Sequence, residues 1–340
     1  MPRSKSFARF STAAVACVLL PAIALAFPPK EPFDPRPVMA QALKGITADK
    51  FSFVVMGDSK CNPGFTGLLD RAEALKPSHV LLIGDMVPSA VPKNYDQFER
   101  QLSPFARKMA LWPCVGNHDV GGLQAKQFPL YVKFWGIDSK HYTFDVRNCR
   151  FITLDAAMTQ PTKDELTWFE EQLAQGKKAG KHLFVWQHVP SYTIGVKPKA
   201  EIPGRPTAFT RLCTKYGVVA DFAGHDHSYY RTHRDGVTYI IQALGGAGIY
   251  EGKRIAEAIE GDSYVIGTGG GATKIRTPAG EKTGRYELML TAIHVDGDKI
   301  TGTTMTASGE VVEEFPLVPP PRPAPATQPA TAPAGAAVHD

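Results

Sequence analysis

Five short apolar runs, FSFVVMG, HVLLIG, LWPCVG, HLFVWQ and VVADFAG, each end in residues able to hold a metal ion: Asp58, Asp85, Asn117, His188, and the pair His225 and His227. Runs this short and continuous read as strands buried on both faces of an α/β sheet. Ligands of such sheets gather outside the carboxyl ends of the strands. Five ends carrying the same kind of donor therefore describe one site, and bringing them together is the first demand on any fold of this chain.

Helical patterns alternate with these runs at residues 64–75, 95–108, 163–173 and 207–216, which predicts a sheet with helices packed outside it. After Gly224 the texture changes. SYYRTHRDGVTYIIQAL predicts a hairpin turning at Asp235 and Gly236, and the stretch 285–315 predicts three strands turning near Gly297 and Gly309. Hairpins that follow a helical half predict a second sheet stacked on the first. There is no internal repeat, and 340 residues with 43% hydrophobic content suffice for one large domain with a true core.

The termini read differently. Arg3, Lys5 and Arg9 precede an apolar stretch from Ser11 to Leu25 interrupted by Pro21, and Ala24 and Ala26 flank the expected cut. This is the layout of a secretory signal peptide over residues 1–26, too short to remain as a membrane span, and it predicts an exported protein, periplasmic or extracellular. Cys17 raises a lipoprotein alternative, against which Ala14 stands where a lipobox prefers Leu. Residues 27–50 are Pro-rich and read as an N-terminal arm, residues 51–316 as the folded domain, and residues 317–340 as a disordered Pro/Ala-rich tail. Loss of the leader lowers the formal charge from +5 by three basic residues, and the balance left gives no case for a nucleic-acid surface. Cys61, Cys114, Cys149 and Cys213 contain no C-x-x-C pair, so they are disulfide candidates or buried thiols rather than a structural zinc knot.

Carboxylate, amide and imidazole donors without a thiolate suit manganese, iron or zinc. One ion rarely takes six protein ligands while keeping an open position, so the set predicts two divalent ions sharing a carboxylate. Two dications facing two aspartates leave an excess of positive charge that attracts a phosphate. They also lower the pKa of bound water to ~7 and hold both oxygens of an in-line displacement, which points to phosphate-ester hydrolysis of a small-molecule substrate. A dinuclear amidase or carboxylesterase is the weaker alternative, because H-x-H-x-D-H is missing.

In order and spacing, GDSK at 57–60, GDMV at 84–87, GNHD at 116–119, QHVP at 187–190 and GHDH at 224–227 resemble the motifs of the calcineurin-like metallophosphoesterases. DELTWFEEQL at 164–173 is similar to the helix before the fourth motif, and GHDHSYYRT followed by GVTYIIQALGGAG resembles the branch that includes purple acid phosphatases. The resemblance implies a four-layer α/β/β/α sandwich, two mixed sheets between helices. It also implies a bridging Asp85, a first metal on Asp58 and His227, and a second on Asn117, His188 and His225. His118 would protonate the leaving oxygen after attack by a metal-bound hydroxide. For Asp119 two roles stay open, orienting a strand end or capping the next element. Tyr229 and Arg231 alternate on the predicted hairpin and share one face, either as a packing pair or in support of the site.

One position departs from the pattern. The family's first motif reads Asp-x-His, and here the His is replaced by Lys60, while Pro88 stands where purple acid phosphatases supply a Tyr. An ammonium has no lone pair to donate. Three outcomes are open: the first metal stays on Asp58, Asp85 and His227 while Lys60 turns to the substrate phosphate; it binds weakly; or the site has become a non-catalytic module that binds phosphorylated ligands. The retained His118 and second-metal set argue for catalysis.

Overall fold

The computed structural model describes residues 36–122, 125–155, 161–195 and 207–318. The leader, its Cys17, and the tail from residue 319 lie outside the described residues.

Each of the five apolar runs is a strand. β1 (Lys50–Met56), β2 (His79–Leu82) and β3 (Leu111–Pro113) lie parallel in one sheet, and β6 (His182–Trp186) and β7 (Val218–Ala223) lie parallel in another. The first sheet is completed by β13 (Met289–Asp296), β14 (Lys299–Thr306) and β15 (Val311–Leu317), in the order β15-β14-β13-β1-β2-β3. The second adds β4 (Tyr142–Val146), β5 (Cys149–Thr153), β8 (Tyr229–Arg234), β9 (Val237–Gln242), β10 (Ser263–Gly269), β11 (Ala272–Thr277) and β12 (Gly280–Arg285), in the order β12-β11-β10-β8-β9-β7-β6-β5-β4. The predicted hairpin turns at Asp235-Gly236, Gly297 and Gly309 all form, with each of these glycines at positive φ.

The hairpins after Gly224 do not, however, all fall in the second sheet. β13 to β15 join the first sheet through β13, which runs antiparallel to β1 with Val54 opposite Ala292, while β8 to β12 extend the sheet begun by β4 to β7.

Alternation along β1 divides the core into layers. Val54 and Met56 pack with α2 (Phe65–Ala74), α3 (Pro92–Ala106) and α5 (Phe128–Trp135) through Phe65, Phe98 and Trp135. Phe53 and Val55 face the other way, onto Phe151, Phe184 and Phe222 of the second sheet. The far side of that sheet is covered by α6 (Lys163–Lys178) and α7 (Ala208–Tyr216), through Phe169, Leu173 and Phe209. The result is helices, sheet, sheet, helices, the four layers the resemblance implied. Both α6 and α7 start on capping boxes, Thr162 with Glu165 and Thr207 with Thr210.

Three helices were not legible in the patterning: α1 (Arg36–Gly45), within the stretch read as an arm, the short α4 (Asn117–Val120), and α5. Among the described residues no helix is long and apolar enough to cross a membrane. Among the described residues, Cys61, Cys114, Cys149 and Cys213 are buried thiols. Tyr229 and Arg231 share a face as read, but they serve the fold: Arg231 makes a two-pronged ion pair with Glu313 of β15 at 2.9 Å on each prong, and Tyr229 donates to the same carboxylate. The pair ties the two sheets together and leaves the site to others.

Asp221 of β7 is buried, and its Oδ2 accepts from Gln187 Nε2 at 3.0 Å and Ser191 Oγ at 3.3 Å. Burial pushes its carboxyl from the ordinary value of 3.8 to about 8. The native chain therefore keeps a proton that the unfolded chain has released, so this group's contribution to stability is full below 3.8 and is lost as pH rises to about 8. Asp221→Asn is expected to flatten the decline of unfolding free energy with pH across that window. Parallel wild-type and variant curves in urea titrations would refute the assignment.

Candidate metal centre

The carboxyl ends of β1, β2 and β3 from one sheet and of β6 and β7 from the other open onto a single pocket. The loops after β1 and β2 are laced together by the backbone: Asp58 N donates to Gly84 O at 2.9 Å, Lys60 N to Asp85 O at 3.1 Å, and Cys61 N to Met86 O at 3.0 Å. Asp58, Lys60, Cys61, Asp85 and His225 all take positive φ, between 45° and 68°. For residues with a Cβ this conformation costs about 1–2 kcal/mol each, and it turns the side chains back over the strand ends. The glycines that precede the donors admit this crowding. A Cβ on Gly116 would lie 2.1 Å from Asp85 N, and one on Gly224 would lie 2.4 Å from Asp58 Oδ2.

The second-metal set is assembled. Asn117 Oδ1 lies 3.1 Å from His188 Nε2 and 2.9 Å from His225 Nδ1, the two imidazole nitrogens are 3.2 Å apart, and Asp85 Oδ1 is 3.3 Å from His188 Nε2. Ligands about 2.0–2.1 Å from a tetrahedral ion stand roughly 3.3–3.4 Å from one another, so Asn117, His188 and His225 stand at ligand spacing, with Asp85 beside His188. His188 is oriented by its Nδ1, which donates to Ile83 O at 2.9 Å and turns Nε2 to the pocket. Burial disfavours a charged His188, but Asp85 and Asp58 outweigh it and push the imidazole up to about 9. Burial also opposes ionisation of Asp85, yet His188, His118 and Lys60 hold its carboxyl well below the usual carboxylate range.

The first-metal set is also in one place. Asp58, Asp85 and His227 are buried and present donor atoms within 4.8 Å of one another, close enough to hold an ion. Burial pushes Asp58 well above the usual carboxylate range, while His188 and Lys60 draw it back. His227 Nδ1 donates to Gly248 O at 2.9 Å, which turns Nε2 inward. Into this set projects Lys60, whose Nζ lies 3.1 Å from His227 Nε2, 3.3 Å from Asp85 Oδ2 and 3.3 Å from His118 Nε2. His118 stands at the open side, its side chain 34% exposed, with Nδ1 donating to Pro88 O at 2.6 Å and Nε2 3.8 Å from Asp85 Oδ2. All eight residues singled out by sequence thus converge.

Two supports stand behind the donors. Asp119 does both things left open for it: Oδ2 accepts from Asp85 N at 2.8 Å and from Gly116 N at 2.9 Å, and Oδ1 from Met86 N at 2.8 Å and Val87 N at 3.2 Å. Burial and the charge of Asp85 push its carboxyl up to about 7, against the pull of these N–H donors. The glycine cluster 245–248 lies against the first motif, with Ala247 N donating to Asp58 O at 2.8 Å and Asn62 Nδ2 to Gly246 O at 2.8 Å. It orients His227 rather than cradling a phosphate. Burial pushes the Cys61 thiol up to about 12, and its Sγ faces Asn94 O at 3.4 Å, so it is no ligand.

Comparison with known proteins bears on the family and the fold. Residues 51–229 match the family model described as calcineurin-like phosphoesterase. No curated protein matches the sequence. Among solved structures the chain is similar to a purple acid phosphatase from yellow lupin (Lupinus luteus) seeds, at a TM-score of 0.60 and 17% identity over 79% of this chain and 54% of the lupin chain. It is similar to GAP50, the anchor in the inner membrane complex of Plasmodium, at a TM-score of 0.57 and 14% identity over 80% of this chain and 90% of that one. A dimetal phosphatase from Danio rerio superposes at a TM-score of 0.50 with 14% identity, over 79% of this chain and 98% of its own. The chain thus spans about half the length of the lupin enzyme. At these identities the likeness establishes the fold.

Asp119→Asn replaces one acceptor oxygen by an amide that faces N–H groups. Each backbone donor left unmet costs about 1–3 kcal/mol, and loosening the Asp85 loop is expected to weaken metal affinity ~10–100-fold. Urea unfolding and metal titration of the variant measure the two effects, and wild-type values in both would refute the role.

Proposed function

The chain belongs to the calcineurin-like phosphoesterase family, and from that premise we propose that it hydrolyses small-molecule phosphate mono- or diesters at the Asp85 centre, with metal assistance and with His118 as proton donor. The observation that carries this reading is the meeting of Asn117, His188 and His225 at ligand spacing, with His188 on Asp85 Oδ1 and the His118 ring on the open side of the same carboxylate. A cation held there supplies a Lewis acid for the phosphoryl oxygens and lowers the pKa of water beside them.

The chain's own residues supply the rest. Lys60 adds a positive charge that draws a phosphate dianion towards the pocket mouth. The carbonyl of Pro88 holds His118 Nδ1–H, so the proton that an imidazolium can release sits on Nε2, on the side of the departing oxygen. The leader sequence supports a further reading, that the enzyme works outside the cytoplasm.

Asp85→Asn and His188→Ala are expected to abolish turnover with manganese, zinc or iron. His118→Ala is expected to lower kcat by ~10²–10⁴ on an alkyl phosphate, the range of general acid catalysis, and far less on an aryl phosphate whose phenolate leaves without a proton. Equal losses on both substrates would remove His118 from the acid role. Absence of turnover on any phosphoester with any of the three metals would favour a module that binds phosphorylated ligands.

A further inference from the structure

The family pattern provides for two ions, and the second-metal set fits one. The first set does not fit in the same way, because a cation of the chain's own is already seated among its donors. Lys60 has three N–H groups; Nζ lies 3.3 Å from Asp85 Oδ2 and 3.1 Å from His227 Nε2, both acceptors, and 3.3 Å from His118 Nε2. Since His227 gives its Nδ1–H to the Gly248 carbonyl, Nε2 keeps a single lone pair. That lone pair serves one partner, an N–H of Lys60 or a metal ion.

The placement is built into the backbone. Lys60 N is hydrogen-bonded to Asp85 O, Lys60 itself and its neighbour Cys61 take φ of 45° and 58°, and the Lys60 side chain is only 18% exposed. A lysine that reached outward to substrate would need none of this. The two oxygens of Asp85 are divided accordingly, Oδ1 towards His188 and the second set, Oδ2 towards Lys60. Charge is also nearer balance with one ion: Asp58 and Asp85 facing one ammonium and one dication leave a single positive charge, where a second dication would leave three and would stand against Nζ.

We infer that the Lys60 ammonium takes the place of the first metal ion, so that this chain works as a one-metal centre, its single cation held by Asp85, Asn117, His188 and His225. Lys60 is then the fixed positive partner that Asp85 bridges to the ion. The inference rests on the phosphoesterase reading only for calling the pocket a metal centre, and it is tested without turnover. A one-metal chain that hydrolyses nothing would sink the earlier reading and leave this one standing, and an active two-metal chain would do the reverse.

The test is manganese content per chain after loading with Mn(II) and desalting, read together with the electron paramagnetic resonance spectrum of the bound ion. Wild type is expected to hold one equivalent with the spectrum of an isolated ion, and His188→Ala to hold none. Lys60→His, which restores a donor, and Lys60→Ala, which only removes the ammonium, are each expected to gain a second ion, exchange-coupled to the first. Two equivalents in the wild type would overturn the inference, as would an ion that survives His188→Ala and is lost in Asp58→Asn, or a wild type that holds none. Thermal melts of each variant confirm that the chain being counted is folded.

Discussion

Asp85 is the group on which the site depends. It is 1% exposed, and a carboxylate taken that far out of water persists only where positive charge and N–H donors replace its hydration. The chain supplies them from four directions: the backbone N–H of His118 at 2.8 Å and His188 on Oδ1, Lys60 and the His118 ring on Oδ2. Each of these partners comes from a different loop than Asp85 itself. The requirement to satisfy one buried anion therefore dictates how three strand-end loops approach one another.

That approach has to be made tolerable by the backbone. Asp58, Asp85 and His225 sit at positive φ after their strands, and the glycines before them and before Asn117 let the loops pass at distances no side chain would allow, as at Gly116 against Asp85 N. Asp119 then gathers four N–H groups of the Asp85 and Gly116 turns onto its carboxylate. The sheets beneath are locked by the aromatic packing of Phe53 against Phe151, Phe184 and Phe222 and by the buried Arg231–Glu313 ion pair. Rigid strands and strained turns work together here: a strained turn keeps its geometry only while the structure around it over-determines it.

Much of this was legible in the chain because its signals are local. Five apolar runs became five strands, the Asp235-Gly236 dipeptide became a hairpin turn, and the donors at the strand ends met in one pocket. What escaped was of two kinds. The four-residue α4 has too few turns to show a period, and α1 lies in a stretch whose prolines masked its pattern. The division of hairpins between the sheets depends on which open edge a strand meets, and β13 met β1 across more than two hundred residues of sequence, with Val54 opposite Ala292.

Lys60 shows where the boundary lies. By itself the sequence determined the donor inventory, because residue type and strand-end position are properties of the chain, and it showed that an ammonium stands where a ligand imidazole is expected. It could not say which way that ammonium turns. Only the tertiary structure decided that Lys60 Nζ lies among Asp85, His227 and His118, since the direction of a long side chain is set by the acceptors folding brings within reach, and these lie 25, 167 and 58 residues away along the chain.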